Sequence, residues 1–391
     1  MLPMHRQVLL LASAQALFQT ASVLVTTIGS LAGAALAPSP EWATLPVAAM
    51  FLGTATGTVP ASMWMARVGR RTGFVFGAFL GVAGGLIAAL GISIGSLLVL
   101  CLGTLLVGSF QSFAQFYRFA ASEVASDAYR PRAISLVLAG GIVAAIAGPA
   151  FARLGGGLLE PAYTGSFLIL AVVSLLAAGL LFGLQVPKTV ASDASVTATR
   201  PLSAIIRQPA YLVALFGAAT GYGVMILAMT ATPLVMMEDS HSLAEASTVI
   251  QLHVLGMFLP SFFTGSLIAR FGVLQVMGAG IALLVGHVLL TLTGSSIPSF
   301  AGALVLLGVG WNFLYVGGTG LLTRTYSPAE KAKAQATNDL TIFIVGLAAS
   351  LSAGILQHAV GWQTMNLLLL PWLGLAALSI AWLSMSKLQL A

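Results

Sequence analysis

Charged side chains are scarce in this chain of 391 residues: Asp, Glu, Lys and Arg make up only 7% of it. A soluble domain of ordinary composition carries about 25%, so there is too little charge here to cover a surface facing water, and a soluble enzyme is excluded. Cysteine is almost absent. The single Cys101 lies inside an apolar run, which excludes an internal disulfide framework and any CxxC metal or redox centre. No GxxxxGK[ST] run is present, which argues against an ATP-driven pump, and neither a nucleophile elbow nor an HExxH points to an embedded enzyme. Lys and Arg outnumber Asp and Glu by 16 to 10. They are too few and too scattered to follow a phosphate backbone, so nucleic acid is set aside as a partner.

What the chain has instead is apolar sequence: 58% hydrophobic residues and a mean hydropathy of +1.01. That composition is the opposite of a disordered chain and makes the bilayer its solvent. Met1 to Arg6 followed by apolar residues has the look of a signal peptide, but the uncharged run continues to about Ala37, longer than a signal core, and reads as a first spanning helix. About 20 apolar residues cross a bilayer. Breaks at charges, prolines and polar clusters predict twelve spans, at 8–34, 43–66, 72–94, 97–121, 133–156, 164–186, 210–237, 246–269, 273–294, 298–323, 338–358 and 364–386. The one long polar stretch runs from Pro187 to Gln208, at mid-chain. The expected organisation is a six-helix bundle at 1–187, a cytoplasmic linker at 188–209 and a second six-helix bundle at 210–391.

An internal repeat supports that division. Ala66-Arg67-Val68-Gly69 follows the second span and Ala269-Arg270-Phe271-Gly272 the eighth. Arg130-Pro131-Arg132-Ala133 follows the fourth and Lys331-Ala332-Lys333-Ala334 the tenth; Val107-Gly108 and Val309-Gly310 hold matching places within those two spans. Each pair is separated by about 202 residues, the mark of a duplicated unit. All Lys and Arg except Arg118 and Arg153 fall on one side of the predicted membrane, which orients both termini and the linker toward the cytoplasm.

With these features the chain resembles the major facilitator superfamily over essentially its full length. That family's turn after the second helix has the pattern GxLaDrxGRr, and Ser62 to Arg71 reads SMWMARVGRR. Ala66 stands where the family has its acid, as does Ala269 in the second half. The resemblance implies an all-α membrane protein of twelve helices in two pseudo-symmetric bundles, acting as a monomeric secondary transporter in contact with membrane lipid.

Polar residues inside a membrane are costly and are the natural site candidates. Gln15 and Gln19 share one face of the first span, and Gln111 and Gln115 repeat that spacing on the fourth; such amides either line a cavity or hydrogen-bond between helices. Arg118 lies near the cytoplasmic end of the fourth span, close enough to snorkel. Asp339, at the predicted start of the eleventh span, would pair with a base, carry a proton or cap the helix.

Met225 and Met229 form an MxxxM in the seventh span, and His253 and Met257 an HxxxM in the eighth. Residues at i and i+4 share a helix face, and in an antiparallel pair the four donors come level two by two. Three thioethers and an imidazole suit Cu(I) and suit hard cations badly. The alternative is that the methionines are packing and His253 makes an interhelical hydrogen bond. Met236, Met237 and His241, with Glu238 and Asp239, cluster at the outer end of the same pair, either as a metal entry or as a solvated acidic loop.

These motifs carry a narrower resemblance, to the CcoA-like copper importers of bacterial inner membranes. Gly310-Trp311-Asn312-Phe313-Leu314-Tyr315-Val316-Gly317-Gly318 and Gln115-Phe116-Tyr117-Arg118-Phe119 also look like segments of that group. The resemblance implies copper as the transported substrate, no prosthetic group, and a role in supplying cbb3-type oxidase maturation. The rival expectation is a carrier of an organic solute, riboflavin-like or drug-like, with Trp311, Asn312, Tyr315, Tyr222, Gln15 and Gln111 lining its cavity.

Overall fold

The computed structural model describes residues 4–126, 129–186, 200–327 and 329–386. These residues are almost entirely helical, and no strand occurs among them. They form two compact units.

The first unit contains α1 (Met4–Leu36), α2 (Leu45–Val68), α3 (Arg70–Ser93), α4 (Leu97–Ala114), α5 (Tyr117–Val124), α6 (Arg130–Gly156) and α7 (Thr164–Phe182). It also takes in Met236–Gln251. The second contains the short α8 (Leu202–Ile206), α9 (Pro209–Glu238) as far as Val235, and α10 (Leu243–Phe258) from Leu252 onward. It continues through α11 (Ser261–Phe271), α12 (Val273–Thr291), α13 (Ile297–Leu322), α14 (Lys331–Leu367) and α15 (Leu369–Met385). The expected linker 188–209 lies in part outside the described residues.

Among the described residues, ten helical segments are long and apolar enough to cross a membrane, and α10 with α11, bent by 42° across a short break, makes an eleventh if the pair is one span. One of the ten, Lys333–Met385, runs for 53 residues, far more than the roughly 20 that a span requires. It is interrupted at Gly361, whose φ of 76° and ψ of 170° are not helical. Division there yields the twelve spans expected. In the fourth span α4 ends at Ala114 and α5 begins at Tyr117, but Leu97–Val124 still forms one span, and Gln115 keeps helical dihedrals and donates from its N–H to Gln111 O at 3.1 Å, so the two amides stay one turn apart.

The repeat read from the sequence has a structural counterpart. Gly69 separates α2 from α3 with φ 92° and ψ 158°, and Gly272 separates α11 from α12 with φ 93° and ψ 151°. A side chain disfavours that positive φ, which is why the two related turns both carry glycine. Ser96 and Ser296 cap α4 and α13 alike, each accepting from the backbone N–H three residues on at 3.4 Å. Close helix approach is duplicated too. A Cβ on Gly108 would collide with the Met50 carbonyl, and one on Gly308 with the His253 carbonyl, so backbone meets backbone in both units through small residues.

In the first unit, Arg70 leaves the α2–α3 turn and donates to Glu123 of α5 at 2.9 Å, with its guanidinium over the Phe116 ring. The turn therefore has an ionic partner although Ala66 replaces the family's acid. In the second unit, Glu330 before α14 accepts from the backbone N–H, Nε and Nη2 of Arg200 at 2.9, 2.9 and 2.7 Å. Thr325 O accepts from both Arg200 Nη2 and Gln208 Nε2, and Lys333 Nζ donates to Arg200 O. These bonds fasten the approach to α9 onto the α13–α14 connection.

Candidate functional site

The second unit holds the four residues of the MxxxM and HxxxM pairs. Met225 and Met229 on α9 are buried, as are His253 and Met257 on α10. His253 Nδ1 donates to the Leu304 carbonyl of α13 at 2.8 Å, since a carbonyl partner requires a protonated ring nitrogen. That is the interhelical bond considered as the alternative to metal binding. A second histidine, His287 of α12, donates from Nδ1 to the adjacent carbonyl, Ala303, at 2.9 Å, and its Nε2 meets the Asn366 amide at 3.0 Å. Both rings tie neighbouring helices to the same stretch of α13. Among the described residues, no group of three or more His, Cys, Asp or Glu is placed to hold a metal ion.

Met236, Met237 and His241 fall in the first unit. Met236 is fully buried, Met237 is 39% exposed, and the His241 N–H donates to Met236 O at 2.8 Å. Glu245, one of the acids near this turn, is engaged with Ser242: its carboxylate accepts from the Ser242 N–H and hydroxyl at 2.7 and 2.8 Å, while Ser242 Oγ accepts from the Glu245 N–H. This is a capping box for α10, and the S-x-x-E signature of Ser242 and Glu245 was available in the sequence.

The amides of the first unit separate into two kinds. Gln15 and Gln19 bond each other at 3.3 Å along α1. Gln111 on α4 is 8% exposed, and its Oε1 has no protein partner among the described residues. Arg118 on α5 lies over the Phe119 ring at 5.0 Å.

The aromatic side chains of the second unit form a row. Trp311 and Tyr315, one turn apart on α13, stack with centroids 4.9 Å apart and planes within 13°. Tyr222 of α9 continues from Tyr315 at 6.4 Å and meets Phe343 of α14 edge-on at 6.2 Å. At the other end Phe258, the last residue of α10, lies 6.3 Å from Trp311. Four elements thus contribute rings to one continuous group. The sequence pointed to Tyr222, Trp311 and Tyr315. Phe258 and Phe343 were missed, because a phenylalanine in a membrane helix carries no signal of its own.

Asn312 was expected as a cavity residue, but its polar atoms are occupied elsewhere. Its Nδ2 donates to Met257 O and to Ser261 Oγ, both at 2.7 Å, and its Oδ1 accepts from Thr264 at 2.7 Å. Those partners flank the break between α10 and α11 at Leu259 and Pro260, where backbone carbonyls lose their helical donors. Asp339 was expected near a helix start, yet α14 begins at Lys331, which removes the capping role. Its Oδ1 accepts from Asn338 Nδ2 at 3.1 Å.

With this geometry in place, known proteins are informative. The family model described as Major Facilitator Superfamily matches residues 10–234 and 213–388. The riboflavin transporter RfnT of Brucella anthropi is 42% identical over 369 residues, covering 94% of this chain and 93% of that protein. The uncharacterized MFS-type transporter YdeG of Bacillus subtilis is 28% identical, covering 93% and 89% respectively. Among solved structures, a bacterial homolog of the human lysosomal transporter Spinster, in an inward-facing and occupied conformation, superposes with a TM-score of 0.75 at 16% identity, covering 98% of this chain and 97% of that one. The D-xylose–proton symporter gives 0.72 at 15% identity, with 97% and 96% covered. These two likenesses concern the fold.

The likeness to RfnT overturns the copper expectation. A relative of that identity, matched along nearly its whole length, is a transporter of an organic molecule. Copper as substrate, the CcoA-like assignment and the role in oxidase maturation are accordingly withdrawn. The physical reason the motifs misled is that methionine is an ordinary apolar filler in such helices, while His253 has a packing partner in Leu304 O.

Proposed function

The chain belongs to the major facilitator superfamily, and from that premise we propose that it carries riboflavin, or a closely related flavin, across the bacterial inner membrane. The observation that carries this reading is the 42% identity to a riboflavin transporter, sustained over 94% of the chain. The aromatic row of the second unit supports it. A flavin has a planar three-ring head, and stacked or edge-on aromatic contacts contribute about 0.5–1.5 kcal/mol each beyond the area they bury. The electrostatics agree: riboflavin is uncharged, and among the described residues Asp339 is the one acid within the helices of the second unit.

In this reading 1–187 and 210–391 are the two halves of the carrier, joined by 188–209. The placement of Lys and Arg supports cytoplasmic termini. The test is uptake of labelled riboflavin by a riboflavin-requiring bacterium that lacks its own importer. Expression of this chain is expected to give saturable uptake and growth on low riboflavin. Membrane-inserted protein with uptake no greater than the empty vector overturns the proposal.

A further inference from the structure

Trp311 is 93% buried, being only 7% exposed, and its indole Nε1 has no hydrogen-bond partner among the described residues. An indole nitrogen can only donate, so its need is for an acceptor. The nearest polar side chain in sequence, Asn312, is already committed through Oδ1 to Thr264. A buried donor left unmade is unfavourable, and folded proteins retain few of them. Phenylalanine at this position would keep the stack on Tyr315 without that penalty.

An orphaned indole is not by itself a site, because Trp362 has one as well. Trp362 packs against Phe300, away from the row, with centroids 5.8 Å apart. What distinguishes Trp311 is its place inside the row, its ring plane fixed by the near-parallel stack on Tyr315. A flat solute lying against these rings would bring its edge atoms to the indole.

We propose that Trp311 Nε1 donates a hydrogen bond to a carbonyl oxygen on the planar ring system of the transported solute. Trp311 then makes the carrier selective for carbonyl-bearing aromatic rings over carbonyl-free rings of the same size. This rests on the flavin reading, whose ring system carries two such carbonyls, and it adds the atom that recognises them.

The test compares two flat three-ring inhibitors of labelled riboflavin uptake, lumichrome, which has the two carbonyls, and phenazine, which has none. For the wild-type chain, lumichrome is expected to inhibit at a concentration about tenfold lower than phenazine, the order that one well-placed hydrogen bond gives. In Trp311→Phe that ratio should fall to near two, through weaker lumichrome inhibition and unchanged phenazine inhibition. Trp311→His, which keeps a ring N–H, should restore part of it, and Trp362→Phe should leave it at the wild-type value. A ratio unchanged in Trp311→Phe, with normal riboflavin uptake by the wild type, overturns the assignment and leaves the flavin reading standing. Absence of wild-type riboflavin uptake overturns both. Should Trp311→Phe fail to reach the membrane, the wild-type comparison decides alone, since equal inhibition by the two compounds also overturns the assignment.

Discussion

At the scale of single residues, Asn312 shows how a polar side chain in a membrane helix can serve the scaffold. Both its amide hydrogens and its oxygen are engaged at the break between α10 and α11. Asn312→Ala should leave the Met257 carbonyl and the Ser261 hydroxyl short of a donor, while Thr264 can turn its hydroxyl to Pro260 O, at a cost of about 1–2 kcal/mol. The expected outcome is a lower thermal unfolding temperature in detergent with little change in the riboflavin concentration giving half-maximal uptake. A large rise in that concentration with unchanged stability would return Asn312 to the cavity. The sequence marked Asn312 as costly and therefore important, but its partners lie more than 45 positions away, and the eighth span was drawn straight through Pro260. Trp311 and Tyr315 were legible as ring-bearing neighbours one helical turn apart. Their link to Phe343 was not, since it depends on which helices pack together.

Among elements, the connection between α13 and α14 is fastened to the approach to α9 by an ion pair of Arg200 with Glu330. The Arg200 guanidinium, bonded to both carboxylate oxygens, holds the Glu330 carboxyl well below the usual carboxylate range, with the Ser327 N–H adding to the effect. Because the folded value is depressed, the contribution of this clamp is full above the ordinary carboxylate value of about 4.3 and is lost as pH falls through the lower folded value. Glu330→Gln should therefore unfold at a lower temperature than the wild type at pH 7, and the gap should close as both are taken into acid. A gap that stays constant down to pH 3 would show that charge is not what the clamp uses. Nothing in the sequence placed Arg200 beside Glu330, because long-range pairing of loops leaves no local periodicity. The turns at Gly69 and Gly272, by contrast, were readable from their shared local motif.

For the whole molecule, the repeat and the spacing of apolar runs specified the fold, since span length and duplicated turns follow directly from bilayer thickness and chain geometry. The cargo did not follow in the same way. Pairs such as Met225 and Met229 fit a soft metal and fit ordinary packing equally well, whereas the row of rings on α9, α10, α13 and α14, which supports the flavin proposal, comes together only after folding. The orientation has its own check. Fluorescent protein fused to the C-terminus should fluoresce, and alkaline phosphatase inserted after Glu41 should be active; the opposite pair of results would invert the topology. The two histidine bonds have a mechanical consequence at this scale. Near its start α13 is guyed like a mast, to α10 through His253 and to α12 through His287, with Asn366 beyond, and two turns further along Asn312 ties it to α11. A shift of α13 would therefore strain hydrogen bonds to α10, α11 and α12 at once.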